Sequence, residues 1–356
     1  MESAESSLGP ILIIGTGLVG ASVGCALTVA GEEVHLRDKV PAHAQVAAGR
    51  GAGQVEDIEP DAVALVVAAV PPRVLPEVLS AALAEFPNAV VTDVGSIKQG
   101  VLTALEREGL ELRRYVGCHP MAGSHLAGPV TATPDLFIDR SWVVTPHATA
   151  TPGAVETVLA LGRACGARTM VMDPREHDQA VAAVSHLPHA VSAMVAAGLE
   201  NRPEEHLALA GQGVRDVTRI AAGDPVLWEQ ILAGNALAVG RELVALGDRI
   251  RDLGERLATR GNVQELLEAG RRGTLAISGK HGMRAVDYAV ATVEIPDTPG
   301  SLARLFADAD DAGVNIEDIS IEHDEVRHVG RLKIEILPDR AEHFVTFMRE
   351  RGWLAV

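Results

Sequence analysis

Residues 10–20 read Pro10-Ile-Leu-Ile-Ile-Gly15-Thr-Gly17-Leu-Val-Gly20, and this stretch decides the fold of the first half of the chain. Its four apolar residues after Pro10 form a short continuous run, which is typical of a buried parallel strand. In the glycine pattern that follows, Gly15 permits a tight turn and Gly17 lets the backbone approach a pyrophosphate. Gly20 lets the next helix pack on the strand. The stretch therefore predicts a dinucleotide site at the N-terminus of that helix.

A second predicted strand, Glu33–Arg37, ends in Asp38. An acidic residue about 20 residues after the glycines is where the ribose hydroxyls of NAD are received. Asp38 therefore favours NAD, although Arg37 and Lys39 beside it could accommodate the 2′-phosphate of NADP. The predicted cofactor-binding residues are Gly15, Gly17, Leu18, Val19, Gly20, Asp38 and Val70.

Strands alternate with helices through the rest of this part, which predicts a Rossmann-type, doubly wound parallel sheet over residues 1–173. The further strands are predicted at Asp61–Ala68, Ala89–Thr92, Leu112–Val116 and Ser141–Thr145. Ser96 and His119 follow the carboxyl ends of two of these strands, where ligands bind in such sheets. The alternatives are a purely structural role for His119 and a capping role for Ser96 at the helix that begins near Lys98.

A helical domain is predicted over residues 174–270, where the strand signal vanishes and alanine-rich helical spacing begins. Val181, Val184, Leu187, Val191, Met194 and Val195 form its first apolar helix face. Pro188 within that helix predicts a kink. His186 and His189 lie three residues apart and project from one face. They are interpreted as substrate-binding residues, with a metal pair or hydrogen-bonded core histidines as the alternatives.

Arg215 and Arg219 are one helical turn apart after a glycine-rich start. Two guanidinium groups on one helix face repel each other unless an anion lies between them. They are interpreted as a carboxylate clamp, with neutralisation by Asp216 as the alternative. Trp228 would form a wall of the pocket or lie in the core. The apolar helices of this domain also predict a homodimer.

A linker is predicted at residues 271–284, followed by a third domain over residues 285–356. Its predicted elements are strand Tyr288–Ile295, helix Ser301–Ala312, strands Val314–Ile321 and Val329–Leu337, helix Ala341–Arg351 and strand Trp353–Val356. This β-α-β-β-α-β order is the ferredoxin-like α+β arrangement. The domain contains no evident catalytic cluster, so ligand binding or assembly is its expected role.

The composition limits the possible partners. The formal net charge is −17 over 356 residues, which argues against nucleic acid and anionic membranes, because phosphates require clustered Lys and Arg. Cys25, Cys118 and Cys165 show neither paired nor metal-ligand spacing, as expected in a reducing cytosol. With no basic segment before Ile11 and no apolar run of membrane length, a cytoplasmic protein is expected.

Four motifs in this order resemble those of bacterial prephenate dehydrogenases fused to a C-terminal ACT domain, and the resemblance covers nearly the whole chain. They are Asp93-Val-Gly-Ser-Ile-Lys98, Gly117-Cys-His-Pro-Met-Ala-Gly123, Ser185-His-Leu-Pro-His189 and Arg215-Asp-Val-Thr-Arg219. Asp297-Thr-Pro-Gly300-Ser-Leu and Gly313-Val-Asn315-Ile-Glu317 resemble the ligand-binding edge of ACT domains.

The resemblance implies oxidative decarboxylation of prephenate to 4-hydroxyphenylpyruvate, with NAD as hydride acceptor, on the tyrosine pathway. It implies that His119 is the catalytic base, that Ser96 assists it, and that Arg219 binds a substrate carboxylate. The further pocket residues that it implies are His189, Ser124 and Trp228, with Arg215 and His186 as additional candidates. Tyrosine or phenylalanine would bind the ACT domain at Asp297, Gly300, Asn315 and Ile316, and no metal is required.

One position departs from the family pattern. Family members commonly carry an acidic residue soon after the His-Pro motif, and this chain has His125 there. A histidine changes the charge that meets the substrate side chain, so His125 is a candidate for substrate choice. Prephenate is the first candidate substrate, arogenate the second and a 4-amino analogue of prephenate the third.

Two other classes of protein fit part of the sequence. A β-hydroxyacid or imine reductase also pairs a nucleotide fold with a helical domain, but it usually carries a catalytic Lys or Asp on the helical segment. An amino-acid sensor would use the ACT domain and an inert nucleotide domain. The intact glycine loop together with Asp38, Ser96 and His119 favours the dehydrogenase.

Overall fold

The computed structural model describes residues 7–123, 128–277, 288–296, 298–324 and 329–356. They divide into two compact units, Met1–Glu255 and Arg256–Val356, and each is described by itself. The predicted binding residues Ser124, His125 and Asp297 lie outside the described residues, as do residues 278–284 of the predicted linker.

The first unit contains the parallel sheet that the glycine motif predicts. Its strands are β1 (Ile11–Ile14), β2 (Val34–Arg37), β3 (Leu65–Ala68) and β4 (Val90–Asp93), in the spatial order β2-β1-β3-β4. Helices α1 (Leu18–Val29), α2 (Pro41–Gly49), α3 (Leu75–Glu85) and α4 (Gln99–Arg107) follow them in turn. Alternate residues of β3 enter different cores, with Leu65 and Val67 on one face and Val66 and Ala68 on the other. Both faces are therefore covered, which confirms the Rossmann-type prediction.

A second sheet of this unit contains an antiparallel pair that the sequence did not predict. Strand β5 (Gly117–Pro120) runs antiparallel to β6 (Ser141–Thr145), and β6 runs parallel to β7 (Arg168–Val171) after helix α5 (Pro152–Ala164). The predicted parallel arrangement therefore holds for β1 to β4 but not for β5, which begins directly after the strand predicted at Leu112–Val116. Among its described residues, the β5–β6 connection has only short 3₁₀ turns. Without a crossover helix the chain returns antiparallel.

A buried ion pair fixes β5 beside β4. The ammonium group of Lys98 pairs with the carboxylate of Asp93, and both side chains are at most 1% exposed. Lys98 Nζ also donates to the Cys118 carbonyl oxygen at 2.7 Å, and the Tyr115 hydroxyl donates to Asp93 Oδ2 at 2.8 Å. Such a pair is tolerated inside a protein because these additional hydrogen bonds satisfy its remaining atoms.

The helical part of the unit begins immediately after β7, as predicted. Its elements are α6 (Pro174–Val181), a π-turn (Ala182–His186), α7 (Leu187–Ala197), α8 (Glu204–Leu207), α9 (Gln212–Thr218), a 3₁₀ turn (Arg219–Ala222), α10 (Pro225–Gly234) and α11 (Ala236–Ala258). The π-turn lies where the kink was predicted. Pro188 has no N–H to donate and its ring crowds the preceding turn, so the wider turn accommodates it.

The buried face of α7 is polar, which reverses the predicted pattern. His186, just before the helix, and His189 and Ser192 within it are buried. Of the apolar residues that were expected to face the core, Val181 is buried, but Val184 is 70% and Met194 is 56% exposed. The first unit alone therefore leaves an apolar surface in contact with water, as an interaction surface does.

By length and composition, Pro174–Ala197 is also apolar enough to cross a membrane, although a helix of a soluble protein can pass the same test. The sequence analysis, which predicted no apolar run of membrane length, did not identify this helix.

The second unit has the predicted ferredoxin-like order of elements. After α12 (Gln264–Ala276) come β8 (Ala289–Pro296), α13 (Ser301–Asp311), β9 (Asp318–Asp324), β10 (Val329–Ile336), α14 (Pro338–Glu350) and β11 (Leu354–Ala355). The sheet is antiparallel in the order β11-β8-β10-β9. Helix α12 continues to Ala276, so residues 271–276 are helical and are not an unstructured linker.

The ion pair between β4 and β5 gives a prediction about stability. Lys98→Met removes the cation and leaves the Asp93 carboxylate buried without its counter-ion. We expect the free energy of unfolding to fall by about 3–5 kcal/mol. Urea denaturation followed by circular dichroism measures this change. Lys39→Met, at an exposed site, is the matched control and should change stability by no more than about 0.5 kcal/mol. Equal stability of the two variants would contradict the prediction.

Candidate active site

The glycine loop after β1 has the geometry that a dinucleotide requires. Gly15 has a φ of +96°, and a Cβ on it would lie 2.4 Å from the Ala69 carbonyl oxygen. A Cβ on Gly20 would lie 2.0 Å from the Gly15 carbonyl oxygen, so α1 packs on β1 only with glycine there. At Gly17 a Cβ would meet no described atom within 4 Å. The space beside Gly17 is thus open at the helix N-terminus, where a pyrophosphate binds.

Asp38 is held at the end of β2 by the same loop. Its Oδ2 accepts hydrogen bonds from Thr16 N at 2.7 Å and from Thr16 Oγ1 at 2.9 Å, and its Oδ1 accepts from Val40 N at 2.9 Å. Burial by itself would raise the pKa of the Asp38 carboxyl, but these hydrogen bonds prevail and lower it. The residue is therefore an oriented anion, suited to accept hydrogen bonds from ribose hydroxyls.

The basic neighbours of Asp38 bear on the choice between NAD and NADP. Arg37 donates from Nη1 to both Glu85 carboxylate oxygens, at 2.9 and 3.0 Å, and its guanidinium lies over the Phe86 ring. The Arg37 guanidinium thus already has a carboxylate partner and is not held ready for a 2′-phosphate. Val70, another predicted cofactor residue, lies against Gly15. Leu18 and Val19 begin α1 and are half-buried. The described residues of this loop fit NAD.

His119 lies within β5, one residue before its end, and is only 8% exposed. Its Nδ1 lies 2.9 Å from Nε2 of His177, and the two rings meet edge to face. Burial, and then the electrostatic influence of His177, Lys98 and His186, hold the pKa of His119 well below its usual range. His119 is therefore a neutral imidazole near pH 7, which is the form that accepts a proton.

His177 and Asp178 belong to this cluster, although sequence reasoning did not find them. They are neighbours on α6, and His177 Nδ1 lies 2.9 Å from Asp178 Oδ1. Both side chains are buried. The contact of His177 with His119 joins residues 58 positions apart, which no local pattern records. The sequence does contain one relevant signal. Asp173-Pro174 is typical of a helix start, and it places His177 and Asp178 in the first turns of α6.

Ser96 lies in the loop between β4 and α4 and is half-buried. It does not cap α4, so the capping alternative was wrong. The first N–H groups of that helix are satisfied by Asp178, whose Oδ1 accepts from Lys98 N at 2.9 Å and whose Oδ2 accepts from Gln99 N at 3.0 Å. The Ser96 hydroxyl is not used for capping, and its loop is fixed to α6.

His186 presents a hydrogen-bond donor to the interior. Asn235 Nδ2 donates to Asp178 O at 2.7 Å and lies 3.2 Å from His186 Nδ1. Burial is the main cause that lowers the pKa of His186 to about 4. In this neutral ring Nδ1 accepts from the Asn235 amide, so Nε2 carries the hydrogen. Among the described residues, that buried Nε2 has no hydrogen-bond partner.

His189 and Trp228 form an aromatic wall beside His186. Their rings are stacked with centroids 3.5 Å apart and planes within 9°. The close approach depends on Gly223, where a Cβ would lie 2.6 Å from Trp228 Nε1. The structure thus brings His186, His189 and Trp228 together. The described residues include no group of three His, Cys, Asp or Glu side chains that could hold a metal ion.

The two predicted clamp arginines belong to two adjacent elements of the helical part. Arg215 is in α9, and Arg219 begins the 3₁₀ turn that follows it, so they do not share one α-helix as predicted. Both are exposed, and Asp216 accepts a hydrogen bond from Gln212 at 2.8 Å. Within the described ranges, no ion pair joins either arginine to Asp216, so the neutralisation alternative is not supported.

Comparisons with known proteins agree with this arrangement. Residues 23–171 match the family "Prephenate dehydrogenase, nucleotide-binding domain", and residues 173–269 match "Prephenate dehydrogenase, dimerization domain". The chain is 31% identical to a Streptomyces niveus protein named "Probable prephenate dehydrogenase NovF", over 97% of this chain and 98% of that one. It is 30% identical to the "4-amino-4-deoxyprephenate dehydrogenase" of Streptomyces pristinaespiralis, over 67% of this chain and 84% of that one.

A solved structure shows the same relationship. The prephenate dehydrogenase of Aquifex aeolicus, crystallised with hydroxyphenyl propionate and NAD⁺, aligns with a TM-score of 0.69 and 26% identity. The alignment covers 78% of this chain and 100% of that chain. Fold, family models and full-length similarity agree, and the chain belongs to the prephenate dehydrogenase family of NAD-dependent oxidoreductases.

Proposed function

We propose that the protein catalyses the NAD-dependent oxidative decarboxylation of prephenate to 4-hydroxyphenylpyruvate in tyrosine biosynthesis. The observation that carries this proposal is a buried His119, held neutral on β5 in the same unit as a glycine loop that fits NAD. A reductase with a catalytic Lys or Asp and a sensor without catalysis are both disfavoured, because residues 23–171 and 173–269 match the models of an enzyme family.

The reaction requires little of the protein beyond a base and correct orientation. Bound NAD supplies the hydride acceptor. His119 accepts the proton of the substrate hydroxyl, which assists departure of the hydride from the same ring carbon. Loss of CO₂ then yields an aromatic ring, so neither a metal nor a covalent nucleophile is needed. Ser96, whose hydroxyl does not cap α4, is proposed to hydrogen-bond near His119 and assist it.

The groups proposed to bind substrate are polar atoms around an aromatic wall. Nε2–H of His186 is a donor without a partner among the described residues, and a carboxylate or carbonyl oxygen would satisfy it. His189 and Trp228 would support the substrate ring. Arg219 is proposed to bind a substrate carboxylate, with Arg215 as a further candidate. Ser124 and His125 remain predicted pocket residues.

The third candidate substrate, the 4-amino analogue, has a specific observation in its favour. A relative of 30% identity is named for 4-amino-4-deoxyprephenate, in which an amino group replaces the ring hydroxyl. This chain also carries His125 where an acidic residue is common. The order of preference is prephenate, arogenate and then the 4-amino analogue.

The assembly is proposed to be a cytoplasmic homodimer. The helical part matches a family of dimerization domains, and its exposed apolar residues, Val184 and Met194 among them, need a covering surface. A second copy of the same helical part would supply it.

The second unit is proposed to be an ACT domain that binds tyrosine or phenylalanine. Support comes from its ferredoxin-like strand order. Gly300, with a φ of +89°, precedes α13, and Asn315 Nδ2 donates to Glu317 at 2.7 Å. Ile316 packs on the core of this unit. Asp297, Gly300, Asn315 and Ile316 are the proposed effector residues.

The proposed activity is tested by supplying the purified protein with prephenate, arogenate or 4-amino-4-deoxyprephenate, each with NAD and with NADP. We expect the reduced-nicotinamide absorbance to rise fastest with prephenate and NAD, with one CO₂ released per hydride transferred. Faster turnover of arogenate or of the amino analogue would assign that compound as the substrate instead. No reduction of either cofactor with any of the three compounds would refute the proposal.

The role of His119 gives a second prediction. His119→Ala should lower kcat by about 10²- to 10⁴-fold, the range for general-base catalysis, while NAD affinity stays unchanged. Since the pKa of His119 is depressed, the base is competent above that pKa and is lost only as pH falls through it. The acid limb of kcat/KM in the unmodified enzyme should therefore lie well below pH 6.5. Full turnover by the variant would remove His119 from this role.

The effector proposal is tested by calorimetric titration of the full-length protein with tyrosine and with phenylalanine. We expect one of them to bind, and Asn315→Ala to weaken that binding, because the effector would lose a hydrogen-bonding side chain at its site. Asn88→Ala, which replaces an exposed asparagine of the first unit, is the matched control and should leave binding unchanged. Absence of heat with both amino acids would restrict the unit to assembly.

A further inference from the structure

We propose that His177 and Asp178 are positioning residues that fix His119 in the tautomer with Nδ1 protonated and Nε2 free to accept a proton. This inference deepens the proposed function, because it assigns the source of the orientation of the base. It rests on four hydrogen bonds between described residues.

Asp178 lies at the far end of the chain of hydrogen bonds. Its Oδ1 accepts from Lys98 N at 2.9 Å, and its Oδ2 accepts from Gln99 N at 3.0 Å. Both oxygens therefore face N–H donors at the N-terminus of α4, which favours a carboxylate anion. An ionised carboxylate can only accept hydrogen bonds. The contact at 2.9 Å between Oδ1 and His177 Nδ1 consequently requires the hydrogen to be on His177 Nδ1.

His177 connects Asp178 to His119. Taken as a neutral imidazole with its single hydrogen on Nδ1, His177 carries a lone pair on Nε2. This lone pair lies 2.9 Å from His119 Nδ1, which must then donate. His119 Nε2 is left with its lone pair on the side of the ring away from His177. That is the nitrogen able to take a hydroxyl proton from the substrate.

The pair would also stabilise the product of that proton transfer. Protonation at Nε2 turns His119 into an imidazolium whose Nδ1–H already donates to His177. The negative charge of Asp178 lies at the other end of His177 and favours this cation. No proton has to move along the chain, because each hydrogen keeps its place.

A merely structural role for His177 is the alternative, and two amide substitutions distinguish it. In His177→Gln, the longer side chain places its amide oxygen near the former Nε2, where it can accept from His119 Nδ1. In His177→Asn, the shorter amide lies near the former Nδ1, so it can still donate to Asp178 but does not reach His119. The two variants therefore separate contact with His119 from contact with Asp178.

The first measurement is steady-state kinetics of the full-length variants with the substrate that the unmodified protein oxidises fastest. We expect His177→Asn to lower kcat by about 10- to 100-fold, as loss of a residue that orients a catalytic group does, with KM and NAD affinity unchanged. His177→Gln should lose less than about tenfold. Equal kcat values for the two variants, whether both normal or both reduced, would overturn the proposal.

The second measurement does not depend on turnover, so it separates failure of this inference from failure of the proposed function. Nitrogen-15 NMR of histidine-labelled protein reports which ring nitrogen is protonated, and His119→Asn identifies the His119 signals by their loss. We expect the Nδ1–H tautomer for His119 in the unmodified protein, and a mixture in His177→Asn. An Nε2–H tautomer in the unmodified protein would overturn the inference even if the enzyme oxidises prephenate.

Discussion

The site depends on the Asp178 carboxylate, which connects two parts of the fold. It belongs to α6, yet it accepts the first N–H groups of α4 and thereby closes a helix end in the nucleotide-binding part. The same carboxylate accepts from His177, which contacts His119 on β5. One buried anion thus fixes the N-terminus of α4, the loop around Ser96 and, through His177, the side chain of His119. Each of its hydrogen bonds compensates part of the cost of removing the charge from water.

Local patterns were sufficient to predict the elements that serve the cofactor. The glycine spacing, Asp38 and the buried strands are contiguous in sequence, and each has one mechanical role that needs a particular residue type. The strand β5 was harder to predict. Its antiparallel direction relative to β6 follows from the absence of a crossover helix in the described part of their connection. Its direction is therefore a tertiary property.

The proposed catalytic cluster was predicted only in part, for a physical reason. His119 could be identified from its position at a strand end and from the family motif. His177 and Asp178 occupy ordinary positions on a polar helix, and they acquire a role only when α6 folds against β5 and α4. The apolar spacing along α6 and α7 was equally misleading. It predicted a core face, whereas the histidines face inward and Val184 faces outward.

This inversion connects the site to assembly. A helix that presents His186, His189 and Ser192 to the interior must place its apolar side chains on the other face. Contact between these apolar side chains and water is unfavourable. A second copy of the helical part would cover them and exclude the water. The polarity of one helix would then determine both the lining of the pocket and the need for a partner subunit.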